Sequence, residues 1–181
     1  KYLNGYDPAG GAPLGWDAFH AFAGLGSYYD YNLGGVDYGH TEADYSTDVI
    51  RQVTVDELES APNEEPWFFY IAPFGPHSPA MPAPRHQDVA VGDMVDPADF
   101  GAFNESDVSD KPRYIRRLPG IDQKHARNFA RDQHQTMMSV DELTGAVLDT
   151  LRARGELDNT LVIYMSDNGH LWGEHRWIGK N

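Results

Sequence analysis

Thr160-Leu161-Val162-Ile163-Tyr164-Met165-Ser166-Asp167-Asn168-Gly169 is the stretch whose reading decides the fold. It is continuously apolar or β-branched and then stops at a polar turn, the pattern of a strand covered on both faces. Pro66-Trp67-Phe68-Phe69-Tyr70-Ile71-Ala72 repeats that pattern and is closed by Pro73, Gly75 and Pro76. Between the two runs, Met137, Val140, Thr144, Val147 and Leu151, with Leu148 beside them, mark one apolar face and predict a helix over residues 122–154 that stops at Gly155. A strand, a helix and a strand in that order predict a parallel α/β sheet with right-handed crossovers, both strands buried. Ligands collect beyond the carboxyl ends of such strands, where Pro76-His77 and Asp167-Asn168 both fall.

Working outward, Tyr45, Val49, Val53 and Leu58 predict a second helix within residues 41–60, bounded by Pro62. The first forty residues are rich in Gly, Tyr and Trp and read as loops with short strands whose rings need burial. Residues 78–119 carry Pro, Asp and Gly without a lasting period, a long excursion of the kind that is usually functional or mobile.

The length, 181 residues, suits one domain or part of one. Lys and Arg total 14 against 28 Asp and Glu, a formal net charge of -14. That balance argues against a duplex nucleic-acid partner held through its phosphates and reads as a solvated acidic surface with carboxylates to spare for a divalent cation. With no Cys there is no disulfide framework and no Cys-based zinc site, and the compartment stays open. No apolar run approaches the roughly 18 residues of a spanning helix, and neither end reads as a signal peptide. The start at Lys1 without Met and the stop at Asn181 after Gly-Lys read as cuts.

Asp167 and Asn168 offer adjacent oxygens on a tight turn, which suits a hard cation such as calcium, although six to eight oxygens are needed and Asp-Asn-Gly alone is a common turn. His77, held between prolines, is able to donate to an anion or protonate a leaving oxygen, although a lone loop His is more often ordinary surface. Lys180 has no functional weight by itself.

The ordered set changes that weighing. Lys1-Tyr2-Leu3-Asn4-Gly5-Tyr6, Gly15-Trp16-Asp17, Pro76-His77-Ser78-Pro79, Asn104-Glu105 through Asp107-Val108-Ser109-Asp110-Lys111-Pro112, Ser139-Val140-Asp141-Glu142, and Ser166-Asp167-Asn168-Gly169 with Gly173-Glu174-His175-Arg176 and Gly179-Lys180 resemble, in this order and over the full length, the sulfatases. The branch they resemble most is that of the N-acetylglucosamine-6-sulfatases. The resemblance implies an alkaline-phosphatase-like α/β fold, a mostly parallel sheet flanked by helices, of which residues 1–181 form an incomplete central part of a single catalytic domain. It implies hydrolysis of sulfate esters, with sulfated carbohydrate or a related ester as substrate, by a formylglycine made from Cys or Ser. By analogy Asp167 and Asn168 bind calcium, while Lys1, His77 and Lys180 contact the sulfate or its leaving oxygen; the family also implies a secreted, periplasmic or lysosomal location. Sulfate transfer builds charge on oxygens that fixed cations stabilise, so in so acidic a chain the few positive groups must create a local positive field.

Three departures stand beside the resemblance. The nucleophile motif is missing and is expected upstream of Lys1, with the paired Asp residues that complete the calcium shell. Leu3 stands where many relatives have His. His170-Leu171 takes the place of Tyr-His, so His170 carries no assigned role. The rival readings are a phosphodiester or phosphonate monoester hydrolase of the same superfamily and a non-catalytic remnant that binds sulfated glycans.

Overall fold

The computed structural model describes residues 2–63, 65–92 and 96–180; Lys1 lies outside them. Two helices frame the chain. A turn of 3-10 helix, Glu42–Asp44, leads into α1, Ser46–Ser60. Asp44 Oδ2 accepts from both the backbone N–H of Thr41 (2.9 Å) and its hydroxyl (2.6 Å), so a side chain and not an apolar residue sets where the helical segment begins. Tyr45, Val49 and Leu58 are buried, as the stripe predicts. Residues Arg113–Arg116 form the single turn α2. The long helix α3, Gln123–Ala153, is capped by Asp122, whose carboxylate accepts from the Lys124 amide at 3.0 Å, and gives way to Gly155 at φ 71°. Its buried face includes Ala126, Ala130, Val140, Leu143 and Leu151, and also the polar Gln133, Gln135, Thr136 and Ser139. Thr136 satisfies its hydroxyl on its own helix, donating to the Asp132 carbonyl at 2.7 Å.

The core gathers the rings of the first forty residues. Phe22, Tyr28, Tyr31 and Leu33 pack with Tyr45 and Val49 of α1 and with Phe74 and Ala83. The buried tyrosines donate outward to carbonyls: Tyr28 to His77 (2.6 Å), Tyr31 to Asp44 (2.9 Å), Tyr45 to Met81 (2.9 Å). Burial pushes the Tyr45 phenol up to about 12 and Tyr28 higher still, so both remain donors at any physiological pH. The excursion after residue 78 is tied down rather than loose, since the Gln135 amide donates to the carbonyls of Gln87 (2.8 Å) and Val89 (2.9 Å).

The sheet differs from expectation. The described strands are two antiparallel pairs, β1 (Tyr31–Leu33) with β2 (Val36–Tyr38) and β3 (Leu171–Trp172) with β4 (Ile178–Gly179). The runs 66–72 and 160–165 enter no ladder, and they are not buried: Phe68 is 73% exposed, Leu161 86% and Met165 77%. The expectation that these runs are buried is corrected by that exposure, and among the described residues they form no parallel pairing. An apolar run becomes a strand only when neighbours pair its backbone in a ladder and cover its faces, and among the described residues no ladder forms here and side chains such as Phe68, Leu161 and Met165 stay exposed.

Arg85 joins the two helices across the excursion. It is bidentate to Asp48 of α1 (2.7 and 2.8 Å) and donates through Nε to Glu142 of α3 (3.1 Å); Arg51 (3.5 Å) and His86 (3.0 Å) also lie against Glu142. Hydrogen bonding to Arg85 holds the Glu142 carboxyl below its ordinary range. A carboxylate depressed in this way stabilises the fold fully above its unfolded value of 4.5, and that contribution is lost as pH falls through the lower folded value. Arg85→Gln is therefore expected to cost about 1–2 kcal/mol at pH 7 in urea unfolding, a figure reduced for the partial exposure of the pair. The variant is also expected to lose part of the stability decline below pH 4.5.

Candidate active site

The β3–β4 hairpin builds the centre of the site. Leu171 lies opposite Gly179 and Trp172 opposite Ile178. Continued by one residue, that register sets Lys180 opposite His170 and returns a cation to the turn that begins at Asp167. The hairpin has two residues per strand and no apolar alternation, so no periodicity in the sequence announces it.

A clamp fixes its tip. Asn104 donates its backbone N–H to the Gly173 carbonyl (2.8 Å) and His175 donates its own to Ala102 (2.9 Å). Glu105 accepts from His175 Nδ1 (2.9 Å) and lies 3.2 Å from Lys111 Nζ, while Arg176 donates to the carbonyls of Glu105 (2.8 Å) and Ser106 (2.9 Å). Asn104-Glu105 and Gly173-Glu174-His175-Arg176 both stand out in the sequence, but nothing local says that they touch.

His77 sits on the other side. Its Nδ1 donates to the Ser78 carbonyl at 2.8 Å, which leaves Nε2 as the ring nitrogen available to a ligand. The ring stacks against Phe74 at 4.9 Å, and Tyr28 holds the His77 carbonyl. The two sides meet on Gln133 of α3, 7% exposed, whose amide N–H donates to the Pro76 carbonyl at 3.2 Å while its oxygen accepts from the Trp172 indole.

His170 immediately precedes β3. Burial pushes its pKa down; Glu174 opposes this, and the nearby Lys180 and His77 add to it. Its Nε2 is buried without a hydrogen-bond partner among the described residues, and its ring packs on Phe129 at 5.2 Å. His170, Lys180 and His77 thus share one electrostatic neighbourhood, and His170 is the residue that sequence reasoning passed over, because its place in the motif is shifted by one. Asp167 and Asn168 are exposed two or three residues before it. The Ser166 hydroxyl donates to the Asn168 carbonyl (2.5 Å), which shapes the turn, while the Asp167 carboxylate and the Asn168 side-chain oxygen accept nothing among the described residues. Two free hard oxygens fit part of a calcium shell. Among the described residues no group of three or more His, Cys, Asp or Glu is placed to hold a metal, and two oxygens alone do not make a calcium site.

Gly173 is the tightest point of the clamp. Its φ is 129°, and an added Cβ would run into the Phe103 ring. Gly173→Ala is expected to destabilise the hairpin by more than about 1 kcal/mol, the strain of the backbone alone, with the clash added. Hydrogen exchange of the Leu171 and Gly179 region is the measurement, and unchanged protection would contradict the clamp.

A family model described as Sulfatase matches residues 2–180. The chain is 36% identical over 188 residues to an N-acetylglucosamine-6-sulfatase of Capra hircus, an alignment covering 96% of this chain and 33% of that protein. The human N-acetylglucosamine-6-sulfatase gives the same identity over 96% of this chain and 34% of its own. An arylsulfatase of Volvox carteri is 33% identical over 91% of this chain and 30% of its own. The chain spans about a third of the length of the curated relatives it matches. On the extent of that match, the chain belongs to the sulfatase family.

Proposed function

We propose that the protein is a calcium-dependent sulfatase that cleaves sulfate esters of sugars, and that these residues form one wall of its active site. The observation that carries the reading is the return of Lys180 to His170, beside His77, next to two oxygen donors that take no partner among the described residues. Membership of the family supports sulfate-ester hydrolysis, and the names of the relatives support a sulfated sugar.

In this reading Lys180 holds a sulfate oxygen as charge develops on it, and His77, protonated on both ring nitrogens, gives its Nε2 proton to the leaving oxygen while Nδ1–H stays on the Ser78 carbonyl. His170, kept neutral, takes up through Nε2 a hydrogen bond that nothing else fills. Lys1 joins Lys180 as a second sulfate contact. Asp167 and Asn168 hold calcium, which when bound neutralises the sulfate oxygens. The attacking group, a formylglycine, and the other metal ligands belong to a segment before Lys1. That segment also supplies the strands that pair with and cover residues 66–72 and 160–165 as a parallel sheet. Their exposure here supports this, since uncovered apolar runs of that length need a partner.

Lys180→Ala and His77→Ala in the full-length protein are each expected to lower kcat/KM for an aryl sulfate roughly a hundredfold, the usual effect of removing one group that stabilises developing charge. A matched phosphate ester is expected to turn over more slowly than the sulfate; the reverse would favour a phosphoryl hydrolase. Asp167→Asn is expected to weaken calcium on the order of tenfold or more by calorimetry, since affinity follows ligand charge. Residues 1–181 alone are expected to release no sulfate and to bind calcium no better than about millimolar, because most of the shell falls to water. Robust turnover by those residues would overturn the placement of the nucleophile.

A further inference from the structure

Two Asn-Gly pairs occur in the chain, Asn4-Gly5 and Asn168-Gly169. Asparagine is the thermolabile partner of such a pair, and glycine after it carries no Cβ to hinder attack of its own backbone nitrogen on the asparagine side chain. Sequence alone treats the two pairs alike, but the structure separates them. The Gly5 N–H donates to the Gly24 carbonyl at 3.2 Å and the Gly24 N–H returns to Tyr6 at 2.8 Å, so the first of the two nitrogens is held in an antiparallel bridge. The Gly169 N–H donates to no acceptor among the described residues.

The surroundings of the second pair favour the same reaction. Asn168 and Gly169 are both exposed, at the bend that follows the 160–165 run. Asn168 Nδ2 donates to the Gly169 carbonyl at 3.3 Å, so the side-chain amide is turned along the backbone that follows it and not away from it. The Ser166 hydroxyl donates to the Asn168 carbonyl at 2.5 Å and steadies the peptide that carries the attacking nitrogen. Nothing stands within 4 Å of where a Cβ on Gly169 would be, which leaves room for the side chain to swing in and for water to follow.

We propose that Asn168 is a site of spontaneous covalent modification, converted by the Gly169 nitrogen and water to a mixture of aspartate and isoaspartate. The Gly169 nitrogen bonds to Asn168 Cγ and gives its proton to water; the Cγ–Nδ2 bond breaks and the nitrogen leaves as ammonia, having taken up a proton. Water then opens the cyclic succinimide at either carbonyl. Opening at Cγ gives aspartate, whereas opening at the main-chain carbonyl routes the backbone through the side chain and lengthens it by a methylene between Asp167 and β3. A further consequence rests on the calcium reading: an Asn168 oxygen engaged by the ion is not free to swing onto the Gly169 nitrogen, so the metal protects the residue, and the lengthened form no longer presents its ligands in register.

The test ages the full-length protein in mildly alkaline buffer with EDTA or with calcium. Peptide mass spectrometry reads the amide-to-carboxyl mass gain at each asparagine, and electron-transfer fragmentation separates isoaspartate from aspartate. In EDTA, Asn168 is expected to convert on the order of tenfold faster than Asn4, the ratio that one net hydrogen bond on the Gly5 N–H supplies. In urea, where neither nitrogen is held, the two rates are expected to converge. Gly169→Ala places its methyl in open space on a backbone outside the left-handed region, and is expected to slow conversion several-fold. Conversion at Asn168 no faster than at Asn4 in the native protein, a difference that persists in urea, or a Gly169→Ala variant that ages like the parent would overturn the proposal. Calcium is expected to slow Asn168 and leave Asn4 unchanged. Equal ageing of Asn168 with and without the ion would remove the calcium assignment while the modification stands, and absence of aryl sulfate turnover would remove the sulfatase reading without altering either rate.

Discussion

The Gln133 carboxamide is the constraint on which the site depends. It is buried on α3, and both of its ends are used, one on the Pro76 carbonyl and the other on the Trp172 indole. A buried amide left half-satisfied carries a penalty of about 1–3 kcal/mol, so the loop of His77 and the hairpin of Lys180 are held in a single relative placement. His170, one residue before the hairpin strand Leu171–Trp172, then lies within electrostatic reach of both Lys180 and His77. The clamp at Gly173 and the Arg85 bridge between the helices are further from the chemistry, but they make α3 and the hairpin tip stiff enough for the Gln133 contact to define a geometry.

Charge gives the arrangement its sense. The overall surface repels anions, and an enzyme for sulfate esters has to overcome this locally. In the proposed reading Lys180 does so at the candidate centre, with His77 beside it. Several carboxylates are already engaged: Glu105 with His175 and Lys111, Asp96 with Arg127. Pairing acids with some of the bases leaves the others free, so the field survives the excess of negative charge.

How legible all this was depends on the length scale of each signal. The helices α1 and α3 were readable because caps and a 3.6-residue period act within one segment; even so, the start of α1 shifted to Ser46 when Thr41 and Asp44 took up a local 3-10 turn. The strand expectation at 160–165 and 66–72 rested on composition, which records that a segment wants covering but not what covers it. Among the described residues those apolar runs enter no strand ladder and expose much of their apolar surface. Asp167, Asn168, His77 and Lys180 were legible as motif residues, and their roles remain a proposal; that Lys180 returns beside His170 was not legible, since it follows from the register of a hairpin too short to have a pattern. The same holds for Glu105 and His175, seventy residues apart and joined only by the fold.

The most direct test of the central claim is a crystal structure of the full-length protein with calcium and an unreactive aryl sulfate analogue. The account predicts calcium on the Asp167 and Asn168 side-chain oxygens and Lys180 Nζ on a sulfate oxygen. It also predicts His77 Nε2 at the ester oxygen and residues 160–165 paired within a parallel sheet. A sulfate group bound away from the His77, His170 and Lys180 cluster, with Asp167 ligating nothing, would contradict it.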